Sequence, residues 1–293
     1  MRDLRKTARA RFVLGFVAIL GVGLSAACTK DNVAATEPTC TPVTAPSMPA
    51  VGIDKVPSQA PGDPAPSGGG VTLVEQGFRP NGDGSDVSVG AIVRNSSTQT
   101  AYRTKVSFTP YAKDGAAVPY AGNQPMLEIP VLVPGERVPL GMILQIAESN
   151  LPDGKDYTTA RVDIKVVQTT WTTAGEILPV TFSLDPVDPN GVGPMKATAV
   201  SPYCDRLYFR GITMVYRDRA GAIVGGSLDV SNYLSRNRDN AEKLCAPGTN
   251  TVDNLRVDPQ FAKPKGIAAT EYALHCDPAK YDYKVSDTYF PLN

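Results

Sequence analysis

Side chains with reactive chemistry are few in this chain, and most of them are cysteines. Five occur, Cys28, Cys40, Cys204, Cys245 and Cys276, beside a single histidine, His275. Cys204, Cys245, Cys276 and His275 carry the atoms of a three-sulfur, one-nitrogen zinc site. No two of these cysteines stand at the C-x-x-C spacing of such sites, however. His275 and Cys276 are also neighbours, and adjacent side chains on a strand point to opposite faces. In an exported chain, disulfides are the better account of the four cysteines beyond Cys28, and four allow three connectivities. A second candidate is Asn81-Gly82-Asp83-Gly84-Ser85-Asp86, which puts side-chain oxygens at alternate positions, as calcium loops do. Its sixth place holds Asp86 where glycine is expected, and its twelfth holds Ile92 where a bidentate glutamate is expected. A polar turn between two strands explains Asn81, Asp83, Ser85 and Asp86 equally well.

Catalysis finds little support. His275 is the one imidazole base, and no G-x-S-x-G elbow or Cys-His signature surrounds it. No phosphate-binding glycine loop occurs. The 29 acidic residues are spread so that no carboxylate pair stands out for glycosidase work. No cofactor is implied. The formal net charge is +0, and a cluster of basic residues lies before residue 28, which leaves the remainder net acidic. That argues against a nucleic-acid partner, which asks for a basic patch.

These residues sit within an ordered series of segments. Arg2, Arg5, Lys6, Arg9 and Arg11 precede an apolar run over 12–27, and small residues then lead to a cysteine at Leu24-Ser25-Ala26-Ala27-Cys28. Charged, apolar and small-residue regions in that order are a secretory signal. The run is short for a membrane span of about 20 residues, and glycines weaken it as a helix. The segment resembles a bacterial lipoprotein signal, with Leu24 one place early. The resemblance implies that residues 1–27 are removed and that Cys28 carries lipid, anchoring the chain to a membrane outside the cytoplasm. Two or more acyl chains hold stably, because each buried CH₂ is worth roughly 0.8 kcal/mol.

Residues 28–70 are rich in Pro, Ala, Thr, Ser and Gly without helix or strand period, as in a disordered linker. From Val71 the pattern changes to period two. Residues 71–74, 87–93, 104–111, 126–133, 138–146 and 160–166 read as strands, with Val162, Ile164 and Val166 on one face. A second series follows a Pro/Asp/Gly-rich boundary near 185. Residues 197–201, 212–216, 219–224, 246–248 and 268–276 echo the first series, which points to internal duplication. The expectation is an all-β chain of two tandem immunoglobulin-like β-sandwiches, 71–184 and 185–293, after the signal peptide and linker. Trp171 lies beyond the strand ending near Val167, and Tyr281, Tyr283, Tyr289 and Phe290 crowd the C-terminus as candidate contact residues.

Val106-Ser107-Phe108-Thr109-Pro110-Tyr111, ending at Asp114-Gly115, resembles the FxLYD-type immunoglobulin-like domain of bacterial envelope lipoproteins. In the second series Met214 takes the place of the phenylalanine and the acid moves to Asp218. The resemblance implies a fold and an extracytoplasmic setting. The expected role is a non-catalytic binding or scaffolding module whose protein partner or small ligand is unknown. The alternatives are solute binding or envelope chaperoning through an interdomain cleft, or an extracytoplasmic hydrolase. Alternation through Tyr272 and Leu274 turns Cys276 inward. The strand alignment then predicts a disulfide from Cys276 to Cys204 or Cys245, with Cys204 preferred. Cys40 is left to pair with the body, pair between molecules or stay free. Metabolic labelling with a clickable fatty acid checks the anchor: Cys28→Ala should lose the label and accumulate as unprocessed precursor, and equal labelling of the variant would refute it.

Overall fold

The computed structural model describes residues 40–43, 63–80, 86–120, 125–146, 158–185, 195–229, 242–255 and 265–278. Among the described residues twelve strands run in chain order: β1 (Val71–Pro80), β2 (Asp86–Asn95), β3 (Thr100–Tyr111), β4 (Met126–Leu132), β5 (Arg137–Gln145), β6 (Arg161–Thr172), β7 (Thr181–Leu184), β8 (Met195–Ser201), β9 (Tyr208–Arg217), β10 (Ile223–Asp229), β11 (Gly248–Leu255) and β12 (Ala269–Asp277). They form four antiparallel three-stranded sheets, β1-β2-β5, β4-β3-β6, β11-β8-β7 and β10-β9-β12. The chain is all-β, as its period-two pattern predicts. Adding six to each strand number of the first pair of sheets gives the second pair, so both halves share one strand order. First, second and fifth strands on one sheet, with third and sixth on the other, is the immunoglobulin-like arrangement of A, B and E against C and F.

Each pair of sheets encloses an apolar core. Val87, Val89, Ala91 and Val93 of β2 point into the first, against Val106 and Phe108 of β3 and Val162 and Ile164 of β6. Ala197 and Ala199 of β8 point into the second, against Ile212, Met214 and Tyr216 of β9. Several elements extend beyond their sequence expectation. Trp171 lies inside β6, opposite Ala101 of β3, and packs on the first core. The short β7 was not anticipated, because four residues flanked by Pro179 give a weak signal.

The linker is not free along its whole length. Thr41 makes a parallel bridge with Tyr203, its N–H donating to Pro202 (2.8 Å) and its carbonyl accepting from Cys204 (3.0 Å). Val43 is buried in the second core. Nearer the first sandwich, the Asp63 N–H donates to the Thr169 carbonyl (3.1 Å), and Gly70 trades hydrogen bonds with Ser96.

In the sheets β1-β2-β5 and β10-β9-β12, strands β2, β5, β9 and β10 are largely buried on both faces, because the two sheets pack on each other. Gly77, Gly90 and Gly141 are register partners across β1, β2 and β5, and they make a trench across the sheet. Strand β10 lies in it. A Cβ at Gly77 would stand 1.9 Å from the Ile223 carbonyl oxygen, one at Gly90 2.3 Å from that of Gly225, and one at Gly141 2.5 Å from the Ser227 nitrogen and 1.8 Å from the Met214 carbonyl oxygen of neighbouring β9. From β10, a Cβ at Gly226 would stand 2.5 Å from the Val89 carbonyl oxygen. Three residues of extended chain advance about 10 Å, and two strand spacings are about 9.5 Å, so β10 crosses the three strands near a right angle. Sheets usually pack about 10 Å apart; here backbone meets backbone. The Ser88 hydroxyl donates to the Gly226 carbonyl (2.8 Å) and accepts the Gly226 N–H (2.9 Å), so the contact satisfies its polar groups.

Gly141→Ala should therefore lower stability by about 2–3 kcal/mol through overpacking against rigid backbone. Gly70→Ala, whose new methyl would meet only the Ala65 side chain at 3.3 Å, should stay within about 0.5 kcal/mol. Urea denaturation of the two variants checks the contrast.

Candidate functional site

The functional candidates of the described residues gather beside this glycine seam. Arg103 stands in β3 with φ 49°, a left-handed backbone that is uncommon outside glycine. Toward β4 the register is kept, Tyr102 with Val131 and Thr104 with Ile129, which leaves Arg103 opposite Pro130; toward β6 the pairing shifts between Tyr102 and Lys105. Proline has no N–H to give the ladder on that side, and bulges such as the one toward β6 re-aim a side chain. The Arg103 guanidinium reaches Glu128 of β4 (3.1 Å) and Asp277 of β12 (3.0 Å). Arg210 of β9 reaches the same two carboxylates, at 2.8 Å and 3.7 Å. Arg210 is followed by Gly211 at φ 128°. Two cations and two anions thus close a ring between the sandwiches. The Asp277 side chain is 0% exposed and that of Arg210 8%. Such a ring contributes little net stability once desolvation is counted, but removing one member strands the others.

His275 lies next to the ring. Its Nε2 is 2.8 Å from Thr213 Oγ1, and the Thr213 hydroxyl is 2.7 Å from the Pro139 carbonyl of β5. A hydroxyl has one proton. Donated to Pro139, that proton leaves Thr213 as acceptor, so His275 is the Nε2–H tautomer. The spacing is that of a nucleophile–base pair, but the proton runs the wrong way, and Thr213 is 1% exposed. As arranged, the pair bridges β12 to β5. Burial, and then the charge of Arg210, push the His275 pKa down to about 4.

A second ionic group marks the seam nearer the start of β1. Arg217 pairs with Glu75 (2.6 Å) and with Glu271, and Arg137 also reaches Glu75 (2.5 Å). The hydrogen bond from Arg217 is the largest influence holding Glu75 below the usual carboxylate range.

Beside the seam opens a groove of about 350 Å³. Edge strands of all four sheets contribute to it: Ile129 and Val131 of β4, Val138 of β5, Phe182 of β7, and Tyr272 and Leu274 of β12. Pro130, Pro139 and Pro179 also line it. Prolines remove N–H donors and so blunt these edges against strand pairing. Three ionisable side chains of the wall already have partners within the fold. Glu136 accepts the Val133 N–H (2.9 Å), and burial raises its pKa. Arg137 holds Glu75, and His275 holds Thr213.

The cysteines form two disulfides, Cys40–Cys204 and Cys245–Cys276. Cys276 does face the second core with Tyr272 and Leu274. The preferred partner Cys204 is corrected to Cys245. Cys204 lies three residues past the end of β8 on the exposed side, where the Thr41 bridge brings Cys40 to a Cα distance of 4.9 Å. Cys245 is buried, and its carbonyl accepts the Leu207 N–H (2.9 Å), which seats it under β12. All three sulfurs weighed as zinc ligands are thereby oxidised. Asn81, Asp83 and Ser85 lie outside the described residues, as do Cys28, Tyr281, Tyr283, Tyr289 and Phe290. Asp86 opens β2 opposite Gln145. Among the described residues no group of three or more His, Cys, Asp or Glu is placed to hold a metal.

No protein-family model matches the chain, and no curated protein is similar to it in sequence. The Arg103–Glu128–Arg210–Asp277 ring escaped the sequence reading. No local signal singles these four out, since Lys105, Arg217 and Glu271 are charges of the same strands.

The His275 environment sets a pH dependence. The unfolded chain takes up the imidazole proton near pH 6.5 and the folded chain only near 4. This contribution is complete above about pH 6.5 and is lost as pH falls toward 4, roughly 3 kcal/mol over the window. Urea melts at a series of pH values should show a shallower fall for His275→Gln than for the parent chain.

Proposed function

We propose that this chain is a lipid-anchored extracytoplasmic module that binds a partner and carries out no chemistry of its own. The observation that carries the proposal is the groove at the junction: both sandwiches build it, while Glu136, Arg137 and His275 in its wall are committed to bonds within the fold. A site for catalysis keeps a nucleophile or base free to meet substrate; this wall offers apolar side chains and proline rings. The glycine seam and the buried ion ring hold the two sandwiches in one orientation, which preserves the shape of the groove. The lipoprotein-like segment ending at Cys28, the two disulfides and the likeness of residues 106–115 to FxLYD-type envelope domains support an anchored, oxidising setting.

Solute binding stays as a second reading, favoured by one observation. The groove volume of about 350 Å³ falls within the range of ligand pockets. A photo-reactive residue placed at Thr181, on the exposed rim, tests both in intact cells, with Lys196 on β8 as the control. A protein adduct at Thr181 and none at Lys196 is the expected result. A small-molecule adduct confined to Thr181 selects solute binding, and equal labelling at both positions removes the groove from consideration.

A further inference from the structure

The two disulfides differ in where they lie. Cys245 is 0% and Cys276 7% exposed, and their bond is part of the second core. Cys40 and Cys204 are both exposed. The buried bond ties two points within the second sandwich, 31 residues apart. The exposed bond ties the linker to the body across 164 residues. Thiol–disulfide exchange requires a thiolate to approach a sulfur, so access separates the two bonds sharply.

We propose that Cys40–Cys204 is the exchange site of this chain, acted on by an extracytoplasmic dithiol oxidoreductase, and that its redox state sets the length of the membrane tether. One thiolate of the reductant attacks the sulfur of Cys40 or Cys204 and forms a mixed disulfide with it. The other cysteine leaves as thiolate and takes a proton. The second thiol of the reductant then attacks the mixed disulfide and frees the remaining cysteine. Two electrons and two protons pass to the protein, and the reductant becomes a disulfide.

The consequence lies in where the chain is next attached. With the bond closed, 11 residues separate Cys28 from Cys40, a span of at most about 40 Å. Besides the bond, the two Thr41 backbone hydrogen bonds and the buried Val43 side chain hold this part of the linker. Once these yield, the next described attachment is Asp63, whose N–H bonds to Thr169. The intervening chain grows to 34 residues, a span of up to about 120 Å. The tether thus lengthens roughly threefold while the sandwiches stay intact. This use of the bond rests on the lipid anchor at Cys28; the exchange itself does not.

The test treats the full mature chain with graded dithiothreitol under native conditions, traps free thiols with a maleimide and maps the labelled peptides. Cys40 and Cys204 should be trapped at least about tenfold faster than Cys245 and Cys276, with the near-ultraviolet circular dichroism unchanged. Protease should then cut within 40–43, and the Cys40→Ser/Cys204→Ser double variant should be cut there without reductant. Simultaneous trapping of all four cysteines, or earlier opening of Cys245–Cys276, overturns the proposal. So does a reduced chain that resists protease like the oxidised one. Fatty-acid labelling at Cys28 reads the anchor separately, so failure of the anchor and failure of the exchange are distinguishable.

Discussion

Backbone-to-backbone contact between two sheets is the constraint on which this molecule depends. A sheet presents side chains on both faces, and those side chains normally keep a second sheet at a distance. Gly77, Gly90 and Gly141 remove them along one line, and Gly225 and Gly226 remove them on the strand that fills the line. The approach excludes water and leaves no room for sliding, since every alternative register puts a side chain against a carbonyl. Two sandwiches that share one strand order are thereby joined through faces their topology does not otherwise distinguish. The seam explains why β2 and β9 are buried throughout their middles, with one face in a core and the other in the contact.

The charged groups make sense in that setting. A glycine contact is close but has few features that fix rotation about it. The Arg103–Glu128–Arg210–Asp277 ring and the Arg217–Glu75–Glu271 group pin it at separate places. Buried ion pairs are weak sources of stability and better sources of a defined arrangement. Arg103 is held in a left-handed conformation that only a well-determined surrounding would maintain. The His275–Thr213–Pro139 line adds a third polar connection across the same boundary.

The strands of the first half were legible in the sequence from alternation and turn residues, whereas β7 and most of β11 were not. Val162, Ile164 and Val166 alternate with polar residues, and β6 follows that alternation at its start, while the strand itself runs on to Thr172 with an irregular burial pattern. The duplicated order of strands was also legible, because the Gly turns and Pro-Gly corners recur at similar spacing. The seam was not. Gly77, Gly90 and Gly141 are far apart in the chain and no local pattern links them, although glycine within a strand is a mark of another backbone close by. Strand β10 was read short of its end for the same reason, since Gly225-Gly226-Ser227 has low strand propensity. The partner of Cys40 lay beyond any periodicity argument. It depends on where a Pro-rich segment settles, and that is decided by a short parallel bridge at Thr41 rather than by a pattern.

The Cys40–Cys204 bond also decides how the molecule bears load. Pull on the chain at its N-terminal side enters the body at Cys204, after β8, and not at Val71, where β1 begins. Without the bond, tension arriving from that side would fall on the few non-covalent contacts of Thr41, Val43 and Asp63 and then on β1, an edge strand that can be unzipped from β2 one hydrogen bond at a time. With it, the first sandwich hangs on a slack branch of the chain. The force passes instead into a sandwich whose last strand is itself cross-linked, by Cys245–Cys276.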